Sequence, residues 1–348
     1  MSDTLKQIAD NLGVTTINGN YLSGIADYYG VDITTSKDLM ADILTEVGGN
    51  PSTSTDYLQD IVLELGGTVT INGNWMEAWE AITAGPALFT TEWTTTSSSE
   101  TIELPYDAAG TYSGTINWGD SNTSANSYAN RTHTYAAAGT YEVVVDGDCI
   151  GWNFQSAGSP LYLTSVVHFA QLQLGADSGG YFYGCNNLDL SSVSDTLDLT
   201  GVTILYFLFA DCTSLTTINN INSWDTSAIT SMRGMFFNCT LFNQALSFDT
   251  SSVTNMRDMF NGADAFDQNI GTWNVENVTN FSDFMITKTD ATFSTTNLNA
   301  IYNGWSTQAV HEGITIDFGT ANYTDSSGAG RFILVDTYGW NITDGGEI

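Results

Sequence analysis

The histidines and cysteines of this chain, residue types typical of nucleophilic, acid–base and metal chemistry, are seven: His133, His168, His311, Cys149, Cys185, Cys212 and Cys239. Their spacing argues against a shared centre. No histidine lies near another or near a CxxC pair, and no HExxH occurs, so a zinc set is not expected. The chain has no GxSxG, GxxxxGK[ST] or GxGxxG, so neither a nucleophile elbow nor a phosphate-cradling loop is expected. Among 39 acidic residues some carboxylate pairs arise by chance, and a glycosidase needs a concave site to hold such a pair. The expectation is a non-enzymatic protein with no catalytic residue, cofactor or metal.

The cysteines have a structural reading instead. Cys185, Cys212 and Cys239 recur every 27 residues, and Ala263 fills the next slot. A slot that alternates cysteine with alanine reads as a small, buried position in a ladder of free thiols. That ladder belongs to a wider frame. The stretch Trp224–Met285 repeats in steps of 24 and 25: Trp224, Phe248, Trp273; Ile229, Val253, Val278; Met232, Met256, Phe281; Met235, Met259, Phe284. Val202, Leu205, Leu208 and Phe209 extend it backwards by 27, and Phe182 by 27 more. Such a period implies stacked supersecondary units, each burying its apolar face against the next. Met256 and Met259 are three apart, which suggests one face of a helical turn with Arg257 and Asp258 exposed.

The core WDTSAITSMRGMF at Trp224–Phe236, with FNQ at Phe242–Gln244 and FDQ at Phe266–Gln268, resembles the BspA-like leucine-rich repeats, also described as DUF285. The resemblance runs from about Leu161 to the C-terminus and implies a leucine-rich-repeat-type solenoid over 151–290. Residues 291–348 then read as its closing cap, which the exposed apolar end of a stack requires.

Residues 86–150 read as a β-sandwich, with strand candidates Phe89–Trp93, Thr101–Leu104, Tyr112–Trp118 and Thr140–Val145. INWGD at Ile116–Asp120 and HTYAAAGTYEVVV at His133–Val145 are similar to PKD domains, which implies an immunoglobulin-like fold. Ser121 stands where that family commonly has glycine. Asp120 has a calcium reading, but a carboxylate in such a turn more often bonds its own backbone. His133 has a catalytic reading, but a lone histidine beside a strand tyrosine more often packs.

Residues 1–85 read as a small helical N-terminal module built by duplication. Leu5, Ile8 and Leu12 match Leu58, Ile61 and Leu65, at helical spacing. I-N-G-N recurs at Ile17–Asn20 and Ile71–Asn74, each followed by an aromatic, Tyr21 or Trp75. Those two rings are the interface candidates if the module docks, since aromatics dominate interface hot spots. Packing inside the module explains them equally well.

Only 7 Lys and Arg face 39 Asp and Glu, for a net charge of −32. Nucleic acid is therefore not an expected partner, because its binding rests on Lys and Arg neutralising phosphates. Anionic membrane surfaces are disfavoured likewise. No apolar run approaches a membrane span, and the opening MSDTLKQIADN lacks the pattern of a secretory signal. These features lead to the expectation of a phage structural protein made in the host cytoplasm: a fibre, spike or capsid decoration. Residues 1–85 would dock to other virion proteins, as a homo-oligomer or symmetric array, and the outer domains would meet host glycans or proteins. A bacterial cell-surface adhesin is the alternative.

Overall fold

The computed structural model describes residues 88–155, 158–175 and 179–348. The helical module expected over 1–85 lies outside them. Residues 88–348 form one compact unit. Among the described residues the architecture is mostly β, with two α-helices and no closed barrel.

The first strands are β1 (Phe89–Thr95), β2 (Thr101–Glu103), β3 (Tyr106–Tyr112), β4 (Thr115–Asn117), β5 (Thr123–Ala125), β6 (Thr132–Thr134), β7 (Gly139–Asp146) and β8 (Cys149–Trp152). After them come β9 (Leu163–His168) and β10 (Leu172–Gln173). One sheet runs β5-β4-β7-β1-β9 and another β10-β8-β3. Phe89, Trp93, Val143 and Val145 line the central antiparallel pair β1–β7 and are buried. Trp152 packs edge-on against Phe89 at 4.9 Å, joining the second sheet to the first.

Three of the four strand candidates coincide with strands. Tyr112–Trp118 does not form a single strand: β3 ends at Tyr112 and β4 starts at Thr115 in the other sheet. Gly114 turns the chain there with φ +87, and an added Cβ would sit 2.0 Å from the Asp146 carbonyl oxygen. Only glycine fits so close an approach.

The boundary expected at residue 150 falls inside β8. β9 then joins the sheet to the repeats: Ser165 pairs with Glu92 of β1 and also bridges Asp189 in parallel. Beyond it, parallel bridges link Ile204 to Ser231, Ser231 to Asn255 and Asn255 to Asn280. Equivalent backbone bonds recur at each step. The Phe182, Phe209, Phe236 and Phe260 amides donate to the carbonyls of Leu208, Met235, Met259 and Phe284, at 2.8, 2.9, 3.0 and 3.0 Å. The period of 24–27 residues therefore reflects a stack in which each unit satisfies the backbone of its neighbour.

The interior of the stack follows the sequence frame. Phe182, Phe209, Phe236 and Phe260 stack ring on ring, with centroids 5.6, 5.9 and 5.7 Å apart. Met232, Met235, Met256 and Met259 are fully buried. The helical turn expected at Met256–Met259 is absent: Asp258 takes φ +57, a left-handed conformation. Asp258 is also buried rather than exposed, at 8 %. Its carboxylate lies 3.1 Å from Arg257 Nε and 3.8 Å from Arg233 Nε, so it is paired in its burial.

The C-terminal end carries α1 (Thr295–Trp305), α2 (Asp325–Phe332) and a parallel pair, β11 (Thr315–Asp317) with β12 (Asn341–Thr343). Ser294 caps α1 by accepting from the Asn297 amide. The buried face of α1 is Leu298, Ile301, Tyr302 and Trp305, and Trp305 stacks on Phe281 at 5.2 Å. Phe281 bridges Ile316 of β11, so the parallel ladder continues into this closing segment.

Candidate functional site

Three settings stand out, while His168, whose Nδ1 lies 2.6 Å from Ser194 Oγ, and His311 lie apart from them. The first is the hairpin after β4. Gly119 and Ser121 both take left-handed backbone, at φ +80 and +73. Ser121 thus adopts a conformation that favours glycine. Asp120 Oδ1 accepts from the Asn122 amide at 3.1 Å, and Oδ2 pairs with His133 Nε2 at 2.8 Å. Burial raises the Asp120 carboxyl, but hydrogen bonds from His133 and Asn122 outweigh it and the net shift is downward. The His133 ring stacks on Trp118 at 5.0 Å and meets Tyr135 edge-on at 4.7 Å. The nearby Ser124 Oγ accepts from Trp118 Nε1. The imidazole is held by its ring faces and by one nitrogen, and what it does is clamp the hairpin to β6. A cleft of about 350 Å³ opens beside it.

The second setting is the cysteine slot. All four cysteines are buried and free. Burial pushes the thiols of Cys185, Cys212 and Cys239 well up and that of Cys149 to about 12, so they are poor thiolates. Cys212 and Cys239 donate to the carbonyls of Phe182 and Phe209, one unit back. After Ala263 the slot falls on Lys288. The amides of Cys239, Ala263 and Lys288 each donate three residues back, to Phe236, Phe260 and Met285. Lys288 is 1 % exposed, and its amine donates to the carbonyls of Ala263 and Asp264. Burial pulls its pKa down to about 8 against the opposing pull of Asp264 and Asp267. Among the described residues, no three His, Cys, Asp or Glu side chains converge as a metal site.

The third setting was not visible as a site in the sequence. One edge of the stack passes through a left-handed slot in successive units: Gly180, Phe207, Gly234, Asp258 and Asp283, at φ +66, +52, +58, +57 and +58. Phenylalanine is out of place there. Around it stand Tyr206, Tyr183 and Phe237, with ring centroids 4.5, 6.3 and 6.0 Å from that of Phe207. All four rings are half-buried. The Arg233 guanidinium lies 4.8 Å over Tyr206 and 5.5 Å from Phe207. Beside them, Asp211 accepts from Asn238 Nδ2 at 2.8 Å. A partly exposed cluster of inclined aromatic rings edged by hydrogen-bonding groups can bind a ligand without transforming it. The available signal was the slot itself, because an aromatic in register with Gly234 and Asp258 has no place in the core.

The interface candidates Tyr21 and Trp75 lie outside the described residues, so the structure neither joins nor separates them. The described part defines a β-rich, repeat-built protein with an aromatic edge. Residues 203–326 match the family described as "Mycoplasma protein of unknown function, DUF285". No curated protein matches the chain, and no solved structure does.

Proposed function

We propose that this chain is a non-enzymatic structural protein displayed on a phage particle as a fibre, spike or capsid decoration. On this reading residues 86–150 are an immunoglobulin-like sandwich of the PKD type. Residues 151–290 are a BspA-like leucine-rich-repeat solenoid, and residues 291–348 are its cap. Residues 1–85 anchor the chain to other virion proteins, with Tyr21 and Trp75 as contact candidates, and the outer domains meet the host surface. The observation that carries the reading is the stack itself. Its units bond backbone to backbone and bury a continuous aromatic core, yet one edge keeps aromatic rings open. A rigid scaffold with an open edge suits recognition. The net charge of −32 suits a surface facing water.

Tagged full-length chain and a chain lacking residues 1–85, expressed during infection, test the assignment. The full chain is expected in purified particles and the shortened one is not. Particles that take up both equally would remove the anchor, and particles that take up neither would remove the virion role. A second reading is a bacterial cell-surface adhesin, and the matching family is named for a bacterium, Mycoplasma. Surface proteolysis of the bacterium that expresses the chain would release it in that case.

A further inference from the structure

We infer that the edge formed by Tyr183, Tyr206, Phe207, Arg233 and Phe237 is a binding site for the pyranose rings of a neutral polysaccharide. This deepens the adhesion reading by naming the site and its ligand class.

The inference starts from Phe207. A bulky side chain at φ +52 is a backbone outlier, and such residues persist where the surroundings hold them in place. Here the next unit holds it. A Cβ added to Gly234 would lie 2.2 Å from the Phe207 ring, so the ring occupies space that a side chain at 234 would fill. Two adjacent units thus cooperate to seat one aromatic. Core burial does not account for the strain, because Phe207 is only half-buried, whereas its neighbours Leu205 and Leu208 are fully buried. Strain without full burial points to a use for the ring outside the core.

The neighbours indicate what the ring meets. Tyr183 and Phe237 stand edge-on to Phe207 and Tyr206 is tilted against it, so a cluster of inclined rings spans three successive units. Aromatic faces attract the C–H faces of sugar rings while their polar neighbours bond hydroxyls. The polar neighbours are present: Arg233, whose side chain is 30 % exposed, and Asp211, held by Asn238. A purely apolar partner would leave these groups dry and incompletely paired, which is costly. Charge selects among polysaccharides. The guanidinium of Arg233 is already offset by Asp258 at 3.8 Å, and the chain as a whole carries −32. An acidic polymer is therefore repelled, and a neutral one is not.

Affinity electrophoresis of the full-length protein through gels containing xylan, mannan, mixed-linkage β-glucan or alginate tests the site. At least one neutral polymer is expected to retard the parent protein, and alginate is not. Phe207→Gly and Tyr206→Ala are expected to weaken retardation at least tenfold. Tyr128→Ala, an exposed ring elsewhere, should leave it unchanged. Cooperative thermal unfolding of each variant confirms that it folds; Tyr206→Ala carries the test if Phe207→Gly does not. Parent-like retardation of a folded Tyr206→Ala or Phe207→Gly variant would overturn the proposal. So would retardation by alginate alone, by no polymer, or self-association through this edge in sedimentation. Incorporation into particles without polysaccharide binding would defeat this inference and leave the display reading standing; binding without incorporation would do the reverse.

Discussion

Cys239 donates from Sγ to the carbonyl oxygen of Phe209 at 2.9 Å, and the thiol is fully buried. Cys212 makes the same bond to Phe182 at 3.1 Å. A thiol in this slot is therefore small enough to fit the stack and polar enough to satisfy a carbonyl in the neighbouring unit. It is also kept protonated by burial.

Cys212→Ala should lower stability by about 1 kcal/mol, through a small cavity and one weak bond lost. Urea unfolding at neutral pH measures this. In the same native protein all four thiols should be free and slow toward thiol reagents. Mapping of a disulfide between any two of Cys185, Cys212 and Cys239 would contradict the slot.

At Met256 and Arg257 adjacent substitutions should behave in opposite ways. Met256 is fully buried, so Met256→Asp places an unpaired carboxylate in the core and should cost about 3 kcal/mol or more. Arg257 is partly exposed and shares Asp258 with Arg233, so Arg257→Ala should cost under about 1 kcal/mol. Equal shifts of the two urea midpoints would show that the frame is misregistered.

Lys288 gives a pH signature. Its pKa is about 8 in the folded chain against a usual 10.5. Below pH 8 both states hold the proton and the native state bears the cost of a buried charge. Between pH 8 and 10.5 the unfolded chain still binds a proton that the native chain has released, so stability from this group rises with pH. The full difference is about 3 kcal/mol. Buried Tyr106 and Tyr302 have raised pKa values and act in the opposite sense near pH 10. The comparison is therefore between the parent and Lys288→Met across about pH 7.5 to 10. The parent should gain relative to the variant as pH rises; parallel pH profiles would refute the assignment.

Gly234→Ala should destabilise by about 1–3 kcal/mol, because Cβ meets the Phe207 ring and the backbone is left-handed. The steric part should vanish when Phe207 is also changed to Gly, leaving only the backbone cost. A double-mutant cycle on thermal unfolding reads this coupling, and additive effects would mean that the two residues do not meet.

The interior was largely legible in the sequence. Met232, Met235, Met256, Met259, the core phenylalanines Phe182, Phe209, Phe236 and Phe260 and the three cysteines recur in register, and all are buried as that frame required. The edge was not. Asp258 reads as a surface residue beside Arg257, yet its carboxylate turns in between two arginines. Lys288 lies one 25-residue step after Ala263, but a long charged side chain after cysteine and alanine hides that it occupies the same slot. Tyr112–Trp118 alternates well enough for one strand, but its middle must turn between two sheets.

The period and the inward face are written in the residues themselves, because burying an apolar face against a like neighbour requires the same residue type at every repeat. Stacking decided the rest: which backbone positions turn left-handed, that β9 serves both the sheet and the first step of the stack, and that Gly234 in one unit makes room for Phe207 in another. Those outcomes depend on distances between units 24–27 residues apart in sequence. A residue's type does not encode the space that its neighbour in the stack leaves free, so they appear only once the units are stacked.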